Sequence, residues 1–280
     1  MKDREEQLKK MTFSEHFEEL RKRLVRCIIA VVVVFVVCFC FKEYLVDLVT
    51  KPYEDLRAAR AADPDSQQLG KLVFISLPEN FLFHLKVCFL VAIFISAPVL
   101  LYQMWRFIGA GLYRHERKPV MRVMPLSMVL YLVGMLFGYF VLFPLGMRFL
   151  LDFGSAGKFE PSITVNNYFS LLAILILLMG FIFQTPLVMV ILTRIGLASA
   201  QFFSSKRKYF IVGAFVLSAL FTPPDWVTQC LLAGPLIVLF EIGILLSRGV
   251  KRKQEKKDPP GRVPGKPGKP ITAEGGDSNE

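Results

Sequence analysis

The sequence predicts an all-α, polytopic integral membrane protein with six transmembrane helices and both termini cytoplasmic. Three observations predict it. Hydrophobic residues make up 54% of 280 positions, with 26 phenylalanines, beyond what a soluble core needs. They are gathered into long runs such as Leu24 to Phe41 and Met124 to Phe143, which have no polar face to show to water. Lys and Arg alternate between connecting segments, 25 in one set and 7 in the other, and the positive-inside rule places the richer set, with both ends, in the cytosol.

In chain order, residues 1–23 form a cytosolic amphipathic segment, 24–248 a six-helix transmembrane domain, and 249–280 a tail rich in Pro, Gly and Lys that should be disordered. Spans are expected at about 24–41, 81–105, 123–145, 168–193, 209–222 and 226–246. The first run starts late and is followed by no small-residue cleavage site, so it should remain in the mature protein. The fifth span is short, about 21 Å at about 1.5 Å per residue against a core of roughly 30 Å. Pro223, Pro224 and Asp225 follow it at once, which makes spans five and six an antiparallel hairpin.

The net charge of +11 marks orientation rather than nucleic-acid binding, since no recognition motif for nucleic acid is present. Five cysteines, Cys27, Cys38, Cys40, Cys88 and Cys230, lie in or beside the apolar runs without metal-like spacing and read as small packing residues. No phosphate loop, zinc helix, nucleophile elbow or His cluster appears, so no enzyme activity, cofactor or metal is expected. No convincing internal repeat argues for the inverted symmetry of secondary transporters.

Thr12-Phe13-Ser14-Glu15 has capping-box spacing, and Phe17, Leu20 and Leu24 follow on one face, which predicts a helix along the membrane surface. Glu18 meets Lys22 and Glu19 meets Arg23 at i, i+4. The loop Arg106 to Lys118 carries one carboxylate, Glu116, among bases. Two readings of Glu19 and Glu116 stand side by side: solvated surface ion pairs, or two cytosolic carboxylates offered to a guanidinium.

Gln184 lies nine residues from the inner end of span four, about 14 Å deep, so it must face protein or water rather than lipid. Either a helix-to-helix hydrogen bond or a polar cavity meets that need. Pro186 frees a nearby carbonyl. Asp225 stands where the N-cap of span six belongs, with Gln229 one turn on. Glu241 can reach Arg248, Lys86 can snorkel, and Pro52 can kink or start a short helix on the outer face.

Several pieces resemble one family in order and spacing: His16 to Arg23, Ser96-Ala97-Pro98 to Trp105, Phe107 to Lys118, Phe183-Gln184-Thr185-Pro186, Thr222 to Gln229, and Phe240 to Gly243. Across about residues 12–248 the chain resembles TatC, the receptor subunit of the twin-arginine protein translocase. The resemblance implies a cup-shaped, six-helix protein of the bacterial cytoplasmic (inner) membrane. It implies binding of twin-arginine signal peptides of folded cargo, recruitment of TatA and TatB type single-span partners into a multimeric complex, and export driven by the proton-motive force. Glu19 and Glu116 would contact the arginine pair, with Arg21 and Phe107 shaping that surface. Pro52, Asp225 and Gln229 match positions linked to outer-side activity or partner contact. Many relatives carry Glu where Gln184 stands, so here either polarity alone suffices or the ionisable role is absent.

Exposed carboxylate pairs at roughly 0.2–1 kcal/mol apiece give at most about a thirtyfold preference. The rest of the affinity must come from burying the signal's apolar stretch, at about 25 cal/mol per Å². The competing readings are a secondary transporter for a small molecule or ion, and a structural scaffold.

Overall fold

The computed structural model describes residues 13–62, 68–111, 114–154, 162–221 and 226–257. Their regular structure is helical: α1 (Phe13–Cys40), α2 (Lys42–Ala61), α3 (Leu77–Ala110), α4 (Arg114–Phe137), a π-helical turn (Gly138–Leu142), α5 (Phe143–Gly154), α6 (Val165–Ile182), α7 (Thr185–Arg194), α8 (Ala200–Ser205), α9 (Arg207–Phe221) and α10 (Trp226–Lys257). Five stretches among them are long and apolar enough to cross a membrane: Ser14–Cys40, Leu77–Ala110, Val120–Asp152, Val165–Arg194 and Trp226–Gly249. The predicted fifth span is α9, at 15 residues shorter than these.

The helix expected to lie along the surface near residue 13 is instead the start of α1, which runs unbroken into the first apolar stretch. No Gly or Pro stands between Phe13 and Leu24, and the i, i+4 ion pairs of Glu18 with Lys22 and Glu19 with Arg23 carry the helix through. Pro52 does not start a helix either; it sits in the middle of α2. At the other end of the chain α10 runs on to Lys257, and residues 258–280 of the expected tail lie outside the described residues.

Helix starts follow local capping chemistry. Ser76 is extended at the start of α3, and the Glu79 carboxylate accepts from the backbone N–H of Ile75 (2.7 Å) and Ser76 (3.3 Å). Thr164 caps α6 by accepting from the N–H of Asn167, and Ser199 caps α8 by accepting from that of Phe202. The two connections at this end of α3 and α6 are stitched by a parallel bridge, Val73 N–H to Ile163 and Val165 N–H to Val73 (both 3.1 Å). Lys86 does not reach outward to solvent alone; its ammonium donates to Asn166 Oδ1 at 2.7 Å.

Span three is one continuous rod from α4 through α5, because the π turn absorbs Pro144. Phe143 N–H reaches back five residues to Gly138. Span four, by contrast, breaks at Phe183–Gln184 before Pro186, so α6 and α7 meet at a turn halfway along the apolar stretch.

Packing places α1 on α3, α4 on α3 and α6, and α10 on α7 and α9. The α4–α6 approach is closest at Gly134, where an added Cβ would sit 2.6 Å from the Met179 carbonyl. Gly138, one turn on, lies against Ile176 and Leu175. Small residues four apart let backbones come close where lipid supplies no hydrophobic drive between helices. The α9–α10 hairpin is held by Phe210 stacked on Phe240 (3.8 Å between centroids) and by Arg207 donating to Glu241 at 2.8 Å. Glu241 thus pairs across the hairpin, and the expected partner Arg248 is displaced because Arg207 opens the antiparallel helix alongside. Cys38 and Cys88 are buried, Cys40 and Cys230 exposed, and all five thiols are free.

Candidate functional site

At the start of α1, Arg23 donates Nε (3.0 Å) and Nη2 to Glu19 Oε1, and Nη1 to Gln103 Oε1 of α3 (3.2 Å). The pair is not the solvated one that composition suggests: the Arg23 and Glu19 side chains are 7% and 19% exposed, against 64% each for Lys22 and Glu18. Glu19 Oε2 is buried with no hydrogen-bond partner among the described residues, and so is His16 Nδ1. One turn before Glu19, the His16 ring stacks on Phe107 of α3 at 4.4 Å and 19°. Gly111, at the end of α3, also lies against His16. The structure therefore brings Glu19 and Phe107 to one rim, with Arg21 exposed beside them. Glu116 is the third residue of α4, whose backbone starts three residues past Gly111; its side chain lies outside the described residues.

A second polar set crosses the bundle. Trp105 Nε1 donates to Ser127 Oγ (2.8 Å), Ser127 Oγ donates to Gln184 Oε1 (2.7 Å), and Gln184 Nε2 donates to the Ser127 carbonyl (3.0 Å). All three side chains are buried. The helix-to-helix hydrogen bond expected of Gln184 is thus present. Gln184 also lines a groove of about 630 Å³ whose walls include Phe181, Thr185, Leu192, Phe240 and, at its mouth, Lys206 over the Tyr209 ring (5.2 Å). The hydrogen-bond reading holds and the polar-cavity reading does not, since the amide closes its hydrogen bonds on Ser127 and the groove beside it is apolar. Gln103 and Trp105, two residues apart on α3, face α1 and α4 respectively, so the same turn of α3 anchors the rim and the intramembrane network.

The other candidates are dispersed. Gln229 Nε2 donates to the Phe215 carbonyl at 2.9 Å and ties α10 to α9. Pro52 lines a cavity between α2 and the α4–α5 rod, on another part of the molecule. Asp225 lies outside the described residues. Sequence reasoning passed over Arg23, Gln103, Trp105 and Ser127 as site residues. Ser127 is the one serine in a long apolar run, and that is the signal that could have found it.

The family model for Sec-independent protein translocase protein (TatC) matches residues 15–235. The chain belongs to the TatC family. Among curated TatC proteins, it is 41% identical to one from Desulforapulum autotrophicum over 89% of this chain and 88% of that one. It is 38% identical to one from Escherichia coli (strain K12), over 83% and 86%. A crystal structure described as the twin arginine translocase receptor TatC superposes with a TM-score of 0.72 at 35% identity, covering 85% of this chain and all of that one. TatC is a membrane-embedded component of the twin-arginine translocase, which moves proteins independently of Sec, and not an enzyme. Other subunits of the translocase share the complex with it.

Proposed function

We propose that this TatC binds twin-arginine signal peptides at the rim formed by Glu19, Arg21, Phe107 and Glu116, as the receptor of the complex. The observation that carries the reading is the state of Glu19: Arg23 occupies one carboxylate oxygen and leaves the other buried and unpartnered. An unpaired, largely buried carboxylate oxygen is costly unless a donor arrives, and a guanidinium supplies one. Because Arg23 already holds Oε1, Glu19 gives an incoming arginine one hydrogen bond rather than two. That weakens the carboxylate share of the affinity further, and burial of the signal's apolar segment then contributes most of it. The groove beside Gln184 offers that segment an apolar wall.

In this reading the short α9 is a sixth span, both termini face the cytosol of the bacterial inner membrane, and Gln184, Pro52, Asp225 and Gln229 meet partner helices of the TatA and TatB type. Transport then draws on the proton-motive force. Restoring export of a folded reporter in cells that lack this protein tests it, with Arg-Arg and Lys-Lys signals compared. Export of both signals alike, or signal-peptide crosslinking that survives combined Glu19→Ala and Glu116→Ala substitution, would remove the recognition half.

A further inference from the structure

Two adjoining cavities lie where α2 crosses the rod of α4 and α5. The first, about 430 Å³, is lined by Lys51, Pro52 and Asp55 of α2 and by Pro144 and Arg148. The second, about 350 Å³, has an apolar wall that includes Leu45, Leu90, Phe94 and Met135. Leu48, Tyr139 and Phe140 line both, so the two form one groove. Its polarity is ordered. Arg148 is six residues from the end of α5, whereas Met135 lies thirteen residues earlier, about 20 Å along the rod at about 1.5 Å per residue. The charged cavity is therefore at the helix end and the apolar one reaches toward mid-helix.

We propose that this groove holds one phospholipid whose headgroup carries a primary ammonium beside its phosphate, a phosphatidylethanolamine. Two cations, Lys51 and Arg148, suit the phosphate, and the carboxylate of Asp55 suits the ammonium. Among the described residues no ion pair joins Lys51, Asp55 or Arg148 to any other side chain. Tyr139 does not neutralise them, since its hydroxyl donates to the Leu48 carbonyl. One acyl chain runs along the apolar half. Basic pockets between membrane helices bind lipid headgroups by this chemistry, and the added carboxylate selects a headgroup with a cation of its own, a primary ammonium over a quaternary one because only the former has N–H groups to donate. A free phosphate would leave the apolar half unfilled, and a purely anionic lipid would set its headgroup against Asp55.

The test uses the full chain purified in mild detergent and mixed with equal amounts of phosphatidylethanolamine, phosphatidylglycerol and phosphatidylcholine of matched chains. Lipid retained on the protein is read by native mass spectrometry. The ethanolamine lipid should be retained about three- to fivefold over each of the others, the preference that one partly exposed ion pair supplies. Asp55→Asn, which is isosteric, should erase that preference, and Lys51→Gln with Arg148→Gln should lower retention of all three. A phosphatidylethanolamine with a photoreactive acyl chain should crosslink to segments 90–95 and 135–140. Equal retention of the three lipids, a preference for phosphatidylglycerol, or crosslinks confined to other segments would overturn the proposal.

Discussion

Tyr139 donates its hydroxyl to the Leu48 carbonyl at 2.6 Å, and Leu48 is the residue whose carbonyl Pro52 leaves without a helical N–H. The side chain of one helix thereby repairs the backbone of another. Tyr168 of α6 donates to the neighbouring Val49 carbonyl at 2.8 Å, so one hydroxyl from the rod and one from α6 hold α2 near the proline. Tyr53, one residue further, donates to Gly70 at 2.8 Å, and its burial pushes the phenol above its ordinary pKa.

Tyr139→Phe should destabilise the protein by about 1 kcal/mol, the cost of leaving that carbonyl unpartnered. Pro52→Ala returns an N–H to Leu48, so the same Tyr139→Phe change should cost less in that background. Thermal unfolding of the four proteins in detergent, as a double-mutant cycle, measures the difference. Equal cost in both backgrounds would show that the hydroxyl does not serve the proline gap.

The α4–α6 seam should tolerate no methyl at its closest point. Gly134→Ala drives a Cβ into the Met179 carbonyl and the Phe183 ring and should cost about 1–3 kcal/mol. Gly213→Ala, where nothing lies within 4 Å, should be neutral or slightly stabilising. A lowered unfolding midpoint for Gly134→Ala beside an unchanged or slightly raised one for Gly213→Ala is the expected readout.

Ser127→Ala removes both the acceptor for Trp105 and the donor to Gln184. Hydrogen bonds between membrane helices average about 0.6 kcal/mol and reach about 1.7, so the Ser127–Gln184 coupling should fall in that range. A cycle of Ser127→Ala and Gln184→Ala measures it, and a coupling near zero would mean the contact is geometrically present but energetically idle.

Glu18 and Glu19 are adjacent in sequence and should behave differently. Glu18→Ala should leave the unfolding midpoint unchanged, because its pair with Lys22 is open to solvent. Glu19→Ala should destabilise, because it strands the buried Arg23 guanidinium, and it should also weaken signal-peptide crosslinking. Parallel measurement of midpoint and crosslinking separates the two roles.

The contrast between these neighbours shows where the sequence was readable. Apolar runs too long to end inside a soluble core marked the membrane helices directly, and the depth of Gln184 required protein or water beside it rather than lipid. The identity of that partner was not readable, since Ser127 is 57 residues away and joins it only through the α4–α6 approach. The burial of Arg23 was hidden for the same reason: its spacing from Glu19 is that of an ordinary surface pair, and only Gln103, 80 residues on, takes it out of water. Pro186 marks in sequence only a freed carbonyl within one continuous span, so the break at Gln184 was not legible, and the continuity of α4 into α5 past Pro144 needed a π turn that no periodicity announces.

The 15 residues of α9 have a consequence for the membrane around them. As the sixth span proposed above, a rod of about 22 Å would not match lipids that suit its longer neighbours, and each ångström of misfit would cost a fraction of a kcal/mol. Lengthening the surrounding acyl chains would strain this hairpin before any other part of the bundle. Export would then track lipid composition, and with it growth temperature, through one undersized helix.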